Sequence, residues 1–484
     1  MGFGFETAFL PNYASGSFSE NLLNSVNKRL SGPLVIRVGG TGGDKVVFDP
    51  DQEVAVKCIE GDCPVGFNAI FSLGPTYFDA FKDFQNQHFT FQAPMRPGIE
   101  WSESLEYVKR AYDAAGSDRV AAIALGNEVD LFEEVFHVDY SVKDYVGNAS
   151  ELEKEITNAL NLSPSSRIFE VLDTTAGNGD NPFSLPVTFK EGIDSNNRVK
   201  YAAQHWYQSP TDLSSYGPDE LQTYLMNHSA ITSLFATGYG ESIVYLNENE
   251  DPAIQYIISE SGSSLAGPPL DYQATFGACL WAADFMLYGM SRGVKRIDLT
   301  QRPATWHSLW VPDDSTNDPS LGAQYNPGPQ VRGPWFAMPM LADFVGAEPG
   351  AVVELLGEDT LTAYAMLDET STTLGKVVIL NMRFWSESDD KSRPAMSFTV
   401  PVGEGVDTVT VKRLQSEAGA YAGGHDMNGK DVTWAGETWS YEIDNGEGHF
   451  VDRAGRSETV EVCDGVALVQ VRDSEAVIVL VDNE

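Results

Sequence analysis

The sequence predicts a (β/α)8 TIM barrel followed by a C-terminal antiparallel β-sandwich. In residues 1–343, eight apolar runs with the length of buried strands alternate with segments of helical periodicity, as in a barrel. From about residue 344, short alternating runs are separated by Gly, Asp and Asn turns, which is typical of antiparallel sheets. The length of 484 residues fits a barrel of roughly 250 residues or more together with one smaller domain.

The first domain, residues 1–343, contains the elements of the barrel in chain order. Predicted strands cover residues 3–9, 34–38, 88–92, 121–128, 167–172, 199–205, 256–260 and 294–300. Predicted helices cover residues 20–30, 77–84, 105–115, 152–160, 220–236 and 275–290. Because active sites of such barrels lie at the carboxyl ends of the strands, the residues that close these strands are the first candidates for chemistry.

The second domain, residues 344–484, contains the short runs of the predicted sandwich. They lie at residues 352–353, 361–367, 377–380, 398–402, 409–411, 434–441, 466–471 and 477–481. No catalytic constellation is visible among them. The sequence leaves open whether this domain only packs against the barrel or also contacts carbohydrate.

Two glutamates close otherwise apolar strands of the barrel. Strand four ends in A-L-G-N-E at Glu128, and strand seven ends in I-I-S-E at Glu260. Hydrolysis of a glycoside with retention needs a carboxylic acid and a carboxylate about 5 to 5.5 Å apart, and neighbouring strand ends can provide this. Glu128, next to Asn127, suits the proton donor and Glu260 suits the nucleophile. The alternative is that each glutamate caps a helix or pairs with an arginine at the barrel rim.

A glycine-rich loop, G-G-T-G-G-D, follows strand two at residues 39–44. It lacks the Lys-Ser/Thr of a P-loop and the full dinucleotide spacing, so nucleotide binding is disfavoured. The glycines are expected to let a polar ligand approach the backbone, with Asp44 as a hydrogen-bond acceptor, or to form a simple turn.

Net charge and histidine spacing exclude several functions. The 31 basic and 70 acidic residues give a formal charge of −39, which repels nucleic acid and anionic membrane surfaces. The seven histidines form no His-x-x-x-His pattern, and no Cys-x-x-Cys pair occurs, so we expect no metal and no organic cofactor.

Several weak signals together favour an extracellular protein. Cys58 and Cys63 flank a turn-like loop that suits a local disulfide, and glycosylation sequons stand at Asn148, Asn161 and Asn227. No apolar run reaches the roughly 18 residues of a membrane span, and the first residues lack the basic and apolar regions of a signal peptide. If the protein is secreted, its signal has therefore been removed.

Three motifs resemble those of a known family. The stretches I-R-V-G-G-T (36–41), A-L-G-N-E (124–128) and S-E-S-G-S-S (259–264) are similar to glycoside hydrolase family 79, notably its fungal β-glucuronidase members. The resemblance covers the whole chain and implies exo-acting, retaining removal of β-linked glucuronic acid or its 4-O-methyl form, with Glu128 as acid/base and Glu260 as nucleophile. In this family the sandwich can include a strand from upstream of the barrel. Since this chain starts almost at strand one, we expect that such a segment has been removed.

Further residues are assigned to the sugar with this family in mind. Asn127 is expected to hydrogen-bond the sugar 2-hydroxyl, and Asp44 to accept hydrogen bonds from other hydroxyls. Tyr207, at the end of strand six, is expected either to orient Glu260 or to pack in the core. The segment after strand eight contains side chains that either contact the substrate or fill the core: Trp306, His307, Tyr325 and Trp335.

One position departs from the family pattern. Some glucuronidases of this family hold the substrate carboxylate with a Tyr-x-Gly after the nucleophile, whereas this chain has Leu265-Ala266-Gly267. We therefore expect backbone N–H groups around Ala266 and Gly267 to hold the carboxylate. Side chains expected to assist are Tyr325, His307, Arg302 or Arg332.

The sequence leaves other functions open. One is a retaining β-glycosidase for a neutral or decorated sugar, and another is an endo-acting, heparanase-like enzyme. A carbohydrate-binding protein on an inactive barrel is disfavoured because binding requires neither Glu128 nor Glu260 at this position.

Overall fold

The computed structural model describes residues 1–484 except 62–68, 176–180, 266–267, 304, 313–327, 348–349, 369–373, 390–391, 425–429 and 482–484. Gly267 and Tyr325, which the sequence assigns to substrate binding, and Cys63 of the predicted disulfide lie outside the described residues.

Eight parallel strands form a closed barrel. In chain order they are β1 (Gly2–Glu6), β2 (Val35–Gly39), β3 (His88–Ala93), β4 (Val120–Leu125), β5 (Phe169–Thr174), β6 (Val199–Ser209), β7 (Gln255–Ser264) and β8 (Arg296–Gln301). Each strand pairs with its neighbours in sequence, and β1 closes the barrel by pairing with both β2 and β8. The predicted barrel and all eight predicted strands are confirmed.

Helices surround the barrel, in agreement with the alternation seen in the sequence. The α-helices of this region are Leu10–Ala14, Phe18–Asn27, Ala80–Asp83, Trp101–Ala115, Phe132–Phe136, Val142–Ala159, Leu185–Glu191, Pro218–Glu220, His228–Gly238, Gly240–Asn249, Leu270–Gln273, Phe276–Ser291 and Ala337–Val345. Short 3-10 turns occupy Thr7–Phe9, Thr41–Lys45, Pro75–Asp79, Val129–Leu131 and Gly333–Phe336, and a π-turn occupies Leu221–Leu225.

Some predicted bounds were wrong for local reasons. Residues 7–9 form a 3-10 turn rather than the end of β1, because the partner strand β2 stops at Gly39 and offers no further ladder. The predicted helix 220–236 is interrupted at Asn227, whose side chain caps the helix His228–Gly238 by accepting from the Ala230 N–H.

Two small sheets lie outside the barrel wall. One contains Val46–Phe48, Val56–Glu60 and Ile70–Leu73, and the other pairs Trp310–Val311 with Gln330–Val331. Cys58, in the first sheet, is disulfide-bonded, whereas Cys279 and Cys463 are free thiols.

The C-terminal region is one set of eleven antiparallel strands. They are β9 (Gly350–Gly357), β10 (Leu361–Asp368), β11 (Leu374–Asn381), β12 (Ala395–Pro401), β13 (Thr408–Gln415), β14 (Thr433–Trp434), β15 (Glu437–Trp439), β16 (Gly448–Phe450), β17 (Glu458–Cys463), β18 (Val466–Arg472) and β19 (Glu475–Leu480), with a helix at Tyr441–Asp444 and a 3-10 turn at Ala454–Arg456. The order is β9-β10-β11-β19-β13-β14-β15-β16, and β12, β18 and β17 fold over it from β13. This curling encloses an apolar core of alternating residues, mostly valines.

A second apolar cluster joins this sheet to the barrel. Phe336 and Trp439 meet edge to face with centroids 5.7 Å apart. The helix Phe276–Ser291 is buried on all sides, because it lies between the barrel and the C-terminal sheet, and its Phe276 N–H donates to the Ala422 carbonyl at 2.7 Å. This packing holds the C-terminal sheet in a fixed place against the barrel. The predicted division at residue 344 falls in the last turn of the helix Ala337–Val345.

Among the residues that the structure describes, no helix combines the length and the apolar composition needed to cross a membrane.

Candidate active site

Glu128 lies immediately after β4 in a left-handed backbone conformation, with φ of 48°. Its N–H donates to the Asp173 carbonyl at 2.6 Å, which fixes this uncommon turn. One carboxylate oxygen lies 3.1 Å from His205 Nδ1, and the other is 3.4 Å from the Thr41 hydroxyl. The turn thus directs the side chain toward β2 and β6.

Glu260 lies on β7 at a bulge. The register of β7 against β6 shifts between Ile258 and Glu260, and this irregularity changes the direction of the side chain. The Tyr207 hydroxyl donates to one carboxylate oxygen at 2.7 Å, and Arg37 lies 3.3 Å from the other. Burial alone would raise the pKa of Glu260, but the His205 and Arg37 cations and the Tyr207 hydrogen bond together lower it.

The two carboxylates face one another across a short gap. Glu128, His205 and Glu260 each place one ligand atom within 4.8 Å of the others. The two carboxyl groups of retaining glycosidases lie about 5–5.5 Å apart and those of inverting enzymes about 6.5–9.5 Å apart, and facing oxygens within 4.8 Å agree with the shorter separation. The same three side chains have the spacing of a divalent cation site, and they are the residues that would hold a metal ion there.

His205 is a site residue that the sequence analysis missed. It is 2% exposed, and its ring nitrogens lie 3.1 Å from Glu128 and 3.5 Å from Asp173. Burial disfavours its charged form, yet the neighbouring carboxylates of Glu260, Asp173 and Glu128 outweigh it and raise the pKa of His205 to about 10. The signal was available, since His205 and Tyr207 are two residues apart on one strand and so share a face.

Asp173 is a buried carboxylate that contacts His205, Arg37 and Ser259. It lies at a bulge of β5 with φ of 44°, accepts from Arg37 at 3.1 Å, and accepts a short hydrogen bond from the Ser259 hydroxyl. Burial alone would raise the pKa of Asp173, but the Arg37 and His205 cations outweigh it and lower the pKa, so this buried carboxylate stays ionised. A fixed negative charge therefore lies behind His205.

Arg37 connects the surroundings of Glu260 with those of Glu128. It contacts Glu260 and Asp173, and it donates to the side-chain oxygen Oδ1 of Asn127 at 2.6 Å. The side-chain nitrogen Nδ2 of Asn127 is buried and makes no hydrogen bond within the described part of the chain. This free donor lies beside Glu128, which is where the sequence predicts a contact with the sugar 2-hydroxyl.

Asp44 is 1% exposed and accepts from two backbone N–H groups, those of Met95 at 2.7 Å and Asn127 at 3.1 Å. Burial raises the pKa of Asp44 to about 7. Its observed contacts position Asn127, and its predicted contact with a sugar hydroxyl stays a prediction.

Glu6, at the end of β1, is the second residue that the sequence analysis missed. Its carboxylate accepts from the Gly42 N–H at 2.9 Å, and burial, with the nearby Glu260, raises its pKa to about 7. A Cβ at Gly42 would lie 2.6 Å from a Glu6 oxygen, and one at Gly40 would collide with the same carboxylate. The glycine-rich loop therefore makes room for a carboxylate of the protein itself.

His307 lies beside Tyr207, which donates to one Glu260 oxygen, whereas His205 lies nearer the other. The His307 Nδ1 is 2.9 Å from the Ser264 carbonyl, and its ring lies 5.6 Å from that of Tyr207. Burial lowers the pKa of His307 to about 4, so the ring is neutral at pH 7. It therefore donates to the carbonyl and carries no charge into the site.

The remaining residues of the segment after β8 are divided between rim and core. Trp306 is half-buried, and the Arg332 guanidinium lies 5.4 Å from its ring centroid. Arg332 is 1% exposed, and its Nη1 donates to the Thr305 and Ser308 carbonyls. Its Nε and Nη2 are buried without a hydrogen-bond partner among the described residues. Trp335 is fully buried against Phe3, so of the two alternatives left open by the sequence it fills the core.

Comparison with known proteins gives consistent results. The family description "Glycosyl hydrolase family 79 C-terminal beta domain" matches residues 363–478. A protein named beta-glucuronidase from Aspergillus niger is 26% identical over 99% of this chain and 90% of that protein. A second beta-glucuronidase, from Neurospora crassa, is 25% identical over 96% of this chain and 89% of that protein. These similarities confirm the resemblance to glycoside hydrolase family 79.

A solved structure shares the complete fold. The crystal structure of a 4-O-α-L-rhamnosyl-β-D-glucuronidase from Fusarium oxysporum superimposes with a TM-score of 0.79 at 18% identity, and the match covers 99% of this chain and 95% of that one. The order of barrel and C-terminal sheet is therefore one that a solved glycoside hydrolase also adopts.

Proposed function

We propose that this chain, as a relative of the family 79 β-glucuronidases, removes β-linked glucuronic acid from glycosides with retention of anomeric configuration. The observation that carries the proposal is the gap of at most 4.8 Å between oxygens of Glu128 and Glu260 at the carboxyl ends of two barrel strands. The sequence relatives named beta-glucuronidase support glucuronic acid as the sugar.

In the first step, a Glu260 carboxylate oxygen attacks the anomeric carbon. The bond from that carbon to the leaving oxygen breaks, and Glu128 transfers its proton to this oxygen. The products are the free aglycone alcohol and a glycosyl ester on Glu260. Tyr207 and Arg37, which contact Glu260, hold it ionised and pointed at the sugar.

In the second step, water attacks the same anomeric carbon from the side that the aglycone left. Glu128 accepts a proton from this water, and the bond to Glu260 breaks, which releases glucuronic acid and restores both carboxyl groups. His205 lies 3.1 Å from Glu128 and within 4.0 Å of Glu260, so we assign it the role of a positioning residue that orients both groups.

The substrate carboxylate requires donors near the sugar. The segment that replaces the Tyr-x-Gly pattern begins at Leu265, which is half-exposed. We assign the carboxylate to backbone N–H groups after Leu265 together with the polar residues that follow β8.

The test is chromophore release from matched aryl glycosides, followed by NMR of the first sugar formed. We expect aryl β-glucuronide to be cleaved far faster than aryl β-glucoside or β-galactoside, with β-glucuronic acid as the first product. Equal cleavage of the glucoside would contradict the glucuronide assignment, and a first product of α configuration would contradict retention.

We also propose that the protein works outside the cell. The bonded Cys58 and the exposed sequon at Asn161 support this location. Enzymatic removal of N-glycans from the protein made by its own cells should increase its mobility in a denaturing gel, and an unchanged mobility would contradict the glycoprotein assignment.

A further inference from the structure

A cavity of about 370 Å³ lies between the barrel and the C-terminal sheet. The charged residues that line it are four cations, Lys28, Arg29, Lys412 and Arg456, and two carboxylates, Asp343 and Glu437. The volume lies at the low end of the range for small-molecule sites, about 300–1,000 Å³. It can hold a short segment of a chain-like ligand.

The two carboxylates are already engaged within the cavity wall. Arg29 lies 3.3 Å from Asp343 and 2.6 Å from Glu437, and Trp434 donates to Asp343 at 2.8 Å. Lys412 lies 3.7 Å from Asp343. These contacts join the barrel to the sheet, so the cavity wall is rigid.

Two cations of the wall remain for a ligand. Lys28 and Arg456 are exposed, and neither forms an ion pair within the described part of the chain. The Arg456 guanidinium is held 5.5 Å from the Phe450 ring centroid, which limits its motion. The lining therefore presents two exposed cations, Lys28 and Arg456, to the same space.

The charged side chains of the cavity lining are mainly basic, whereas those of the whole protein are mainly acidic. The chain has 70 acidic and 31 basic residues, whereas this cavity has twice as many basic as acidic side chains. Screening limits the reach of distant charges to about 8–10 Å at ordinary ionic strength, so an anion at the cavity is attracted by the local cations.

A second cavity of about 440 Å³ shares Lys28 and continues the surface. Its uncharged polar residues are the asparagines Asn24, Asn27 and Asn86. The Asn27 side-chain amide donates to the Asn86 backbone carbonyl, and the Asn86 side-chain amide donates to Asn24 Oδ1. Amide groups donate and accept hydrogen bonds, as sugar hydroxyls do. A cationic cavity next to an amide-lined one is suited to a polymer that carries both carboxylates and hydroxyls.

Both cavities lie far from the catalytic pair. The helix Phe18–Asn27 precedes β2, so Lys28 lies at the amino ends of the barrel strands, whereas Glu128 and Glu260 lie at their carboxyl ends. We propose that these joined cavities bind a carboxylate-bearing polysaccharide and tether the protein to it, at a site separate from the catalytic centre. The choice of a uronate polymer rests on the proposed function, while the anionic class of ligand rests on the cavity itself.

Binding is measured with the full chain carrying Glu260→Gln, so that the polymer is not consumed. The polymer is a soluble polysaccharide containing glucuronate, and the comparisons are a neutral β-glycan and a single-stranded nucleic acid. Lys28→Glu combined with Arg456→Glu should weaken binding to the glucuronate polymer about tenfold or more, because two attractive contacts become repulsive. The Lys28→Gln and Arg456→Gln pair should cause a smaller loss.

A matched control keeps the change in net charge constant. Lys109→Glu with Lys154→Glu reverses two exposed lysines on helices of the barrel wall, and we expect unchanged binding. In the active chain, both pairs should leave kcat/KM for aryl β-glucuronide unchanged. The proposal would be overturned if the protein bound the neutral glycan as tightly as the glucuronate polymer, or bound the nucleic acid more tightly. It would also be overturned if the Lys109/Lys154 pair weakened polymer binding as much as the Lys28→Glu, Arg456→Glu pair. If aryl glucuronide is not cleaved while polymer binding depends on Lys28 and Arg456, only the proposed function fails.

Discussion

Two buried histidines lie near Glu260, and their charge states are opposite. His205 has carboxylates near both ring nitrogens, which raise its pKa to about 10 even though burial acts against the charge. His307 contacts a backbone carbonyl and the Thr305 hydroxyl, and burial lowers its pKa to about 4. The partners of a buried imidazole therefore decide whether it contributes a positive charge or only a neutral hydrogen bond.

This difference divides the surroundings of Glu260 into two halves. The half formed by β2, β5 and β6 supplies the cations Arg37 and His205, which keep Glu260 ionised. The half formed by the segment after β8 contributes the neutral ring of His307, and the nearby cations Arg302 and Arg332 add to burial in lowering the pKa of that ring.

The largest effect should come from the carboxylates that both histidines surround. Glu260→Gln and Glu128→Gln should each abolish measurable turnover of natural glycosides, because nucleophile and proton donor act on one path. Small side-chain variants separate their roles through azide. With a good leaving group, Glu128→Ala should yield β-glucuronyl azide and Glu260→Ala should yield the α form, as NMR would show. The reverse pattern would mean that the two roles are exchanged.

The next effect tests the charged half. His205→Gln keeps a hydrogen-bonding side chain but removes the positive charge, so kcat should fall by roughly a hundredfold or more. Loss of this cation raises the pKa of Glu260, so the acidic limb of the kcat/KM profile should move to higher pH. An unchanged limb would show that His205 acts only through packing.

The matched change tests the neutral half. His307→Gln replaces one neutral donor with another, so we expect less than about a tenfold loss of kcat/KM and no shift of the acidic limb. The stability profiles should also differ. The raised pKa of His205 gives a stabilisation that is complete below about pH 6.5 and is lost as pH rises through about 10.

His307 has the opposite sign. Its lowered pKa gives a stabilisation that is present above about pH 6.5 and is lost as pH falls through about 4. Thermal unfolding of wild type and each variant across pH measures the difference. The difference in thermal midpoint between wild type and variant should disappear at alkaline pH for His205→Gln and at acidic pH for His307→Gln. Curves that stay parallel across pH would contradict the assigned charge states.

The smallest effect on activity should come from changing His228. Like His205, this buried histidine lies between two carboxylates, but it is not part of the candidate active site. His228 lies between Asp284 and Glu354, at 2.8 and 3.0 Å, and joins the barrel to the C-terminal sheet. Burial opposes the charge, but the two carboxylates raise the pKa of His228, and the Tyr364 hydroxyl donates to Asp284 at 2.6 Å. Arg292 pairs with Glu354 from the solvent side.

His228→Gln should leave kcat unchanged and lower the thermal midpoint by about 2–4 °C near pH 5. Because the raised pKa makes this stabilisation complete below about pH 6.5 and lost as pH rises through the higher folded value, the difference should shrink in alkaline buffer. Ser229→Ala, which removes the neighbouring contact with Asp359, is the control and should show no such pH dependence. A loss of kcat with unchanged stability would show that the C-terminal sheet takes part in catalysis.

The sequence was sufficient for the barrel, because each strand is buried on both faces and so appears as a continuous apolar run. It also singled out Glu128 and Glu260 as candidates, since each is the lone acidic residue that closes a predicted apolar run. The observed strand order places both at one end of the barrel. Element ends were less predictable where a partner strand stops early, as at Gly39.

What only the tertiary structure decided is the environment of each polar group. Glu6 and His205 were overlooked because their partners, Gly42 and Asp173, come from distant parts of the chain. The glycine-rich loop was expected either to let a polar ligand approach or to form a simple turn. In the structure, Gly40 and Gly42 lie against the Glu6 carboxylate. Local sequence determines the periodicity of burial, and with it the strands and the exceptional residues at their ends. Charge state depends on desolvation and on atoms brought within a few ångströms by folding, which no local pattern records.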